Sequence, residues 1–184
     1  MVYILLGDGF EESEAIVPVD LLRRAGVEVQ LAGVSGRKVT SSHGIVVECD
    51  CTLKELDEEA LEMLILPGGL GGVETILNSE RALGVIQRAG DRGAYIAAIC
   101  AAPTILARLG MLDRRKAVCY PGMEDLMLSA VVQRGTPVVA DGHLVTAEAA
   151  GSSFAFGFKL VEILAGKDKA EEVRQGVHYH YRYG

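Results

Sequence analysis

Cys100 stands in AYIAAICAAPTILARLG (Tyr95–Gly110), where an apolar strand pattern turns directly into an apolar helix pattern, among Ala97, Ala98, Ala101 and Ala102. A thiol at a strand-to-helix turn has the layout of a nucleophile elbow, in which a sharp turn lifts the side chain above the sheet and tolerates only small neighbours. The following helix would aim its unpaired N–H groups at the sulfur, and both those groups and the positive end of the helix dipole favour thiolate. A packed structural cysteine would give the same local pattern, so the elbow reading depends on the other residues that reach this point.

Two further stretches supply such residues. PGGLGG (Pro67–Gly72) follows an apolar strand, and its glycines would let backbone amides approach a ligand and hold an oxyanion; it lacks the lysine and hydroxyl of a phosphate-binding loop. GDGFEESEA (Gly7–Ala15) places Glu11, Glu12 and Glu14 at a helix start. Glu11 and Glu12 read as acids that compensate the helix dipole. Glu14 lies on the helix near the strand-end surface of Cys100, where burial would keep its carboxyl neutral and able to donate a hydrogen bond to a thiolate. These effects together predict a depressed Cys100 pKa and its oxidation ahead of Cys49, Cys51 and Cys119, with Cys119 held in a strand.

The remaining candidates read as structural. Cys49 and Cys51 are spaced as strand residues on one face, not as a zinc or thioredoxin motif. His43 and His143 fall in hairpins, where exposure is expected. His178 and His180, in the tail VHYHYRYG, would share a strand face, but no third metal ligand accompanies them, and no metal or organic cofactor is expected.

The elements that must position these residues alternate. Val2–Leu6 reads as a buried strand and Ser13–Ala25 as a helix closed by Gly26; Val27–Gly33 is a second strand. Arg37–Cys49 reads as a hairpin. Leu61–Gly69 is a strand and turn, Ser79 caps a helix through Ala89, and the Cys100 strand leads into a helix over Ala101–Leu109. A short helix from Glu124, a hairpin around Asp141-Gly142, and a helix from Ser152 to Leu164 closed by Gly166 complete the chain. Such alternation predicts one α/β domain over residues 1–184 with a mostly parallel sheet, whose ligands bind beyond the strand C-termini.

Composition excludes several classes. The 184 residues are 49% hydrophobic and carry a formal net charge of −7 with no tryptophan, which argues against nucleic-acid binding. No apolar run is long enough for a membrane span, and the acidic start is no signal peptide, so a reducing cytoplasm is the expected compartment.

EESEAIVPVDLLRRAGVEVQLAG, LILPGG, AAICAAPTILA and the Gly-Ser-Ser-Phe-Ala-Phe run, in this order, closely resemble the bacterial DJ-1-like branch of the DJ-1/ThiJ/PfpI superfamily over essentially the whole chain. The resemblance implies a flavodoxin-like three-layer sandwich with Cys100 at its elbow. It also implies Glu14 as the carboxylic acid bonded to Cys100, and the amides of Gly69 and Ala101 as an anion pocket, with Gly68 and Tyr120 one step behind. It further implies a homodimer through the first helix, where Leu21 and Leu22 offer more apolar surface than one stripe needs. Two departures stand out. Ala101 replaces the histidine that follows the nucleophile in the protease-related branch, which disfavours a protease, and Tyr120 of CYPG replaces the histidine of animal relatives.

The activity implied is cofactor-independent glyoxalase or deglycase chemistry on small reactive carbonyls, through a Cys100 hemithioacetal with Glu14 as proton shuttle. The alternative is a non-enzymatic redox-responsive protein or chaperone in which an oxidant converts Cys100 to sulfinic acid. A thiazole-biosynthesis role finds no phosphate-binding loop to support it.

Overall fold

A computed structural model describes residues 1–180. In chain order its elements are β1 (Val2–Leu6), α1 (Glu12–Arg24), β2 (Val29–Gly33), β3 (Lys38–Thr40), β4 (Val46–Glu48), β5 (Cys51–Thr52), β6 (Met63–Leu66), α2 (Leu70–Leu77), α3 (Glu80–Asp91), β7 (Tyr95–Ile99), α4 (Pro103–Arg108), β8 (Lys116–Ala117), β9 (Val131–Val132), β10 (Val138–Asp141), β11 (Leu144–Ala147), α5 (Ser153–Ala165) and α6 (Lys167–Gly176). Short 3-10 turns occupy Glu124–Met127 and Ala150–Ser152.

The main sheet runs β10-β11-β7-β6-β1-β2-β5. Its pairings are parallel except β10–β11, the predicted hairpin. Helices cover both faces, so the fully buried strands read as continuous apolar runs. In β1, Val2, Ile4 and Leu6 join the core under α1 and α5, while Tyr3 and Leu5 join the core under α2, α3 and α4. This is the three-layer architecture expected. From β1 the chain builds outward to β2 on one side and returns to β6 on the other. The strand order therefore switches between β1 and β6, and crevices for ligands open at such a point.

Several expectations need correction. PGGLGG is loop only as far as Gly69; Gly71 and Gly72 already belong to α2. Both are glycine because the backbone of the loop after β1 lies against them: a Cβ on Gly72 would stand 2.9 Å from Phe10 Cα, and one on Gly71 3.1 Å from Gly9 Cα. α4 starts at Pro103 and is six residues long, shorter than the predicted Ala101–Leu109 helix. Cys119 lies beyond the end of β8, although it is buried. Cys49 and Cys51 face opposite cores, because ladder pairing to β2 begins only at Cys51. Leu21 and Leu22 are both 0% exposed, packed inside rather than offered to a partner. A Cβ on Gly157 of α5 would lie 2.6 Å from Leu21 Cδ1, which measures how closely the two helices approach. α6 is a helix that the sequence pattern does not announce. No strand forms through His180, and His178 sits in a turn with φ 52°; the rest of the tail lies outside the described residues.

Candidate active site

The loops after β1, β6 and β7 converge at the switch point. Cys100 ends β7 with φ 66°, in the left-handed region that a residue with a Cβ occupies at a cost. Its own backbone bonds hold it there: Cys100 N–H donates to Ala147 O at 2.9 Å, and Tyr120 N–H donates to Cys100 O at 2.7 Å. The strained turn, the buried Ala101 and Ala102 behind it, and Pro103 at the first turn of α4 make the predicted elbow.

Glu14 comes from the first turn of α1 and is 0% exposed. Gly68 N–H donates to its Oε2 at 2.8 Å, while its buried Oε1 has no hydrogen-bond partner of ordinary geometry. The side chain interacts with Cys100, and the backbone N–H groups of Gly69 and Ala101 favour the charged form of the Cys100 sulfur. Gly69 stands at the N-terminus of α2 with φ 82°, and a Cβ there would meet Gly9 O at 2.3 Å. Only glycine brings its amide to this place.

Burial lifts the Glu14 carboxyl to about 7, against the lowering pull of Cys100 and of the Gly68 N–H. Burial is also the largest cause lifting the Cys100 thiol, up to about 12, followed by the negative charge of Glu14 and its hydrogen bond; the Ala101 and Gly69 amides oppose this. A thiol lowered on its own is therefore not what the structure holds: α4 is short, and burial outweighs the amides. The two values describe a pair. The pair gives up one proton far more readily than the second, because a second negative charge beside the first is costly in a dry site.

A cleft of about 580 Å³ opens over the pair. Its floor is Glu11, Glu14, Gly69, Leu70, Cys100 and Ala101, and its far wall is formed by Tyr120–Met123 and residues 149–151. Of the residues predicted for the site, Cys100, Glu14, Gly69 and Ala101 line this floor, Gly68 holds Glu14 from behind, and Tyr120, 47% exposed, stands in the far wall. His143 is exposed and stacks edge-on against Tyr95, away from the cleft lining.

Glu11 and Glu12 do more than compensate a dipole. Glu11 lines the cleft. Glu12 receives Ser41 Oγ, His43 N–H at 2.9 Å and His43 Nδ1 at 2.8 Å, all from the turn between β3 and β4. Burial raises the Glu12 carboxyl, but the His43 and Ser41 hydrogen bonds, with backbone N–H groups, lower it further and leave it well below the usual range. Glu11, Glu12 and His43 bring potential metal-ligand atoms within 4.8 Å of one another, and the Glu12–His43 ion pair accounts for that geometry without a metal. No spacing in the sequence brings residues 11–12 to residues 41–43; only the tertiary fold does.

These features meet those of known proteins. The profile of the DJ-1/PfpI family matches residues 1–163. The chain belongs to the DJ-1/PfpI family. Among its relatives, Drosophila melanogaster Protein dj-1beta is 36% identical over 177 residues, covering 95% of this chain and 94% of that protein. A deglycase of Pyrococcus horikoshii is 33% identical, covering 89% and 98%. The crystal structure of Drosophila DJ-1beta superposes with a TM-score of 0.93 at 35% identity, over 98% of both chains. An oxidised Toxoplasma gondii DJ-1 superposes with 0.92 at 32% identity, also over 98% of both. The DJ-1 fold thus spans the chain. Among the described residues, no helix is long and apolar enough to cross a membrane.

Proposed function

We propose that this DJ-1 family protein acts on small reactive carbonyls through Cys100. The observation that carries the reading is the distribution of donors in the Cys100–Glu14 pair. The Gly69 and Ala101 amides favour charge on the sulfur, Gly68 N–H occupies Glu14 Oε2, and Glu14 Oε1 is buried without a hydrogen-bond partner. A buried acceptor left alone is costly, whereas a protonated Oε1 donating to Cys100 Sγ satisfies both atoms. The pair's single negative charge therefore sits on sulfur at neutral pH, as a thiolate beside a carboxylic acid.

With methylglyoxal, the thiolate adds to the aldehyde carbon, the Gly69 and Ala101 amides hold the developing oxyanion, and the Glu14 proton passes to that oxygen. Glu14, now a carboxylate, moves the carbon-bound proton of the hemithioacetal to the neighbouring carbon and the hydroxyl proton to the neighbouring oxygen, giving a Cys100 thioester. Water cleaves the thioester to lactate. The Pyrococcus horikoshii deglycase is in keeping with this substrate class. Methylglyoxal turnover is the test: wild type should turn it over, and Cys100→Ser and Glu14→Gln should lose at least a hundredfold. Equal rates in all three would refute the reading.

A second reading shares the site. Peroxide attack on the thiolate would give a sulfinate, whose oxygens the same amides and Glu14 could hold, as befits a relative known in an oxidised form. Oxidation without turnover would favour it. A reducing cytoplasm suits either role, since all four cysteines are free. We also propose a homodimer through α1. With Leu21 and Leu22 inside, the large apolar side chain that α1 still exposes is Ile16, 44% exposed; Ile45 and Val46 at the β3–β4 hairpin are exposed too.

A further inference from the structure

We infer that Glu11 is the general base that activates water against the Cys100 thioester. The inference rests on the reading of Cys100 as a carbonyl-directed nucleophile and supplies the acid–base group left open by Ala101 and Tyr120 at the positions where relatives carry histidine.

The contrast between the two cleft carboxylates carries it. Glu14 is 0% exposed and pinned by Gly68, so no water stands between it and the sulfur. Its chemistry is confined to protons exchanged with atoms bonded to that sulfur or next to them. Hydrolysis needs a base that touches both water and the cleft. Glu11 is the other carboxylate in the cleft lining, and its side chain is 23% exposed. Ser13 Oγ donates to Glu11 Oε1 at 3.3 Å and Ser42 Oγ to Oε2 at 3.2 Å, which orients the carboxylate without burying it. Glu11 N–H donates to Gly68 O at 3.0 Å, so the backbone that carries Glu11 is tied to the residue that positions Glu14.

The way out for the proton is solvent itself: the Glu11 side chain is 23% exposed, while His43, 3.9 Å away, holds its Nδ1 proton against Glu12.

The step balances. Glu11 removes one proton from water as the oxygen attacks the thioester carbon; the oxyanion rests on the Gly69 and Ala101 amides, and its collapse breaks the carbon–sulfur bond and returns the Cys100 thiolate. The carboxyl proton of the nascent lactic acid goes to Glu14, restoring its acid form. The proton on Glu11 leaves to solvent, to which its side chain is 23% exposed, so each turnover releases lactate and one proton.

Glu11→Gln keeps the shape: its amide oxygen can accept from one serine hydroxyl and its amide nitrogen can donate to the other. Mixed with methylglyoxal, it should form the Cys100 adduct at the wild-type rate, yet turn over at least a hundredfold more slowly. It should accumulate a species one methylglyoxal heavier that survives dilution, as a thioester does and a reversible hemithioacetal does not, and that hydroxylamine cleaves to a hydroxamate. Glu11→Asp should recover part of the rate. Adduct formation itself reports an intact cleft, which separates lost chemistry from lost folding. Wild-type turnover in Glu11→Gln, or slow turnover with no hydroxylamine-labile adduct, would overturn the assignment while leaving the role of Cys100 standing. A wild type that forms no adduct would overturn the reading of Cys100 and this inference with it.

Discussion

Gly68 donates its backbone N–H to Glu14 Oε2 at 2.8 Å, and a Cβ placed on Gly68 would stand 2.5 Å from that oxygen and 2.7 Å from Cys100 Cβ. One glycine thus satisfies half of the buried carboxyl and leaves the gap through which acid and thiol meet. Gly68→Ala should cost about 1–3 kcal/mol of stability through overpacking and cut Cys100 alkylation sharply at neutral pH. Chemical denaturation and an iodoacetamide time course check both effects; an alanine variant that alkylates like wild type would show that the contact does not set reactivity.

Glu14 makes stability depend on pH in the direction opposite to an ordinary salt-bridged carboxylate. Its folded value, about 7, lies above the unfolded value of 4.5. The folded state therefore binds more protons between these limits, and stability falls as pH rises from about 4.5 to 7. The loss is about 3 kcal/mol at most, since each pH unit between the folded and unfolded values is worth about 1.4 kcal/mol. Glu14→Gln should remove this slope, so it gains on wild type between pH 4.5 and pH 8. The raised His43 has the same sign, contributing stability that is lost as pH rises through its folded value, but it is common to both proteins and cancels in the comparison. Urea midpoints at several pH values decide the point; parallel curves would mean that Glu14 is not held neutral.

Much of this site was legible in the sequence because its signals are local. The alanines around Cys100, the Pro-Gly-Gly strand end and the acid at the third position of α1 each announce themselves within a few residues. What could not be read was long-range. Glu12 looks like a dipole-compensating acid until the hairpin turn at residues 41–43 folds onto it, and α2 is hidden because Gly71 and Gly72, poor helix formers, are required by the backbone of Gly9 and Phe10. Leu21 and Leu22 cannot be apportioned between core and surface without knowing that Gly157 lets α5 come so close. That the thiol and the acid must be read as one pair was not legible either, because burial, the largest influence on both, has no local signature.

The four thiols should oxidise unequally. Burial pushes Cys49 and Cys119 up to about 11 and also raises Cys51, and all three are under 10% exposed. Cys100 alone opens onto the cleft. Peptide mapping after limited peroxide should find Cys100 modified first. Earlier modification of any other cysteine would contradict the proposed charge on Cys100.

The proposed dimer separates two residues of one helix. Ile16→Glu should yield monomers of near-normal stability, because Ile16 faces out. Leu21→Ala should cost about 2–5 kcal/mol, because Leu21 is wholly buried against Gly157. Light scattering alongside thermal melts resolves the pair of effects, and a wild type that scatters as a monomer would refute the dimer outright.

The central claim is that the single negative charge of the Cys100–Glu14 pair rests on sulfur at neutral pH. Thiolate absorbance measures it directly, as the difference between wild type and Cys100→Ser titrated from mild acid to strong alkali. The charge-on-sulfur account predicts a rise for one thiolate around neutral pH, where the pair loses its first proton. A rise delayed to near 12 would place the charge on Glu14 and leave Cys100 an ordinary buried thiol, contradicting the account.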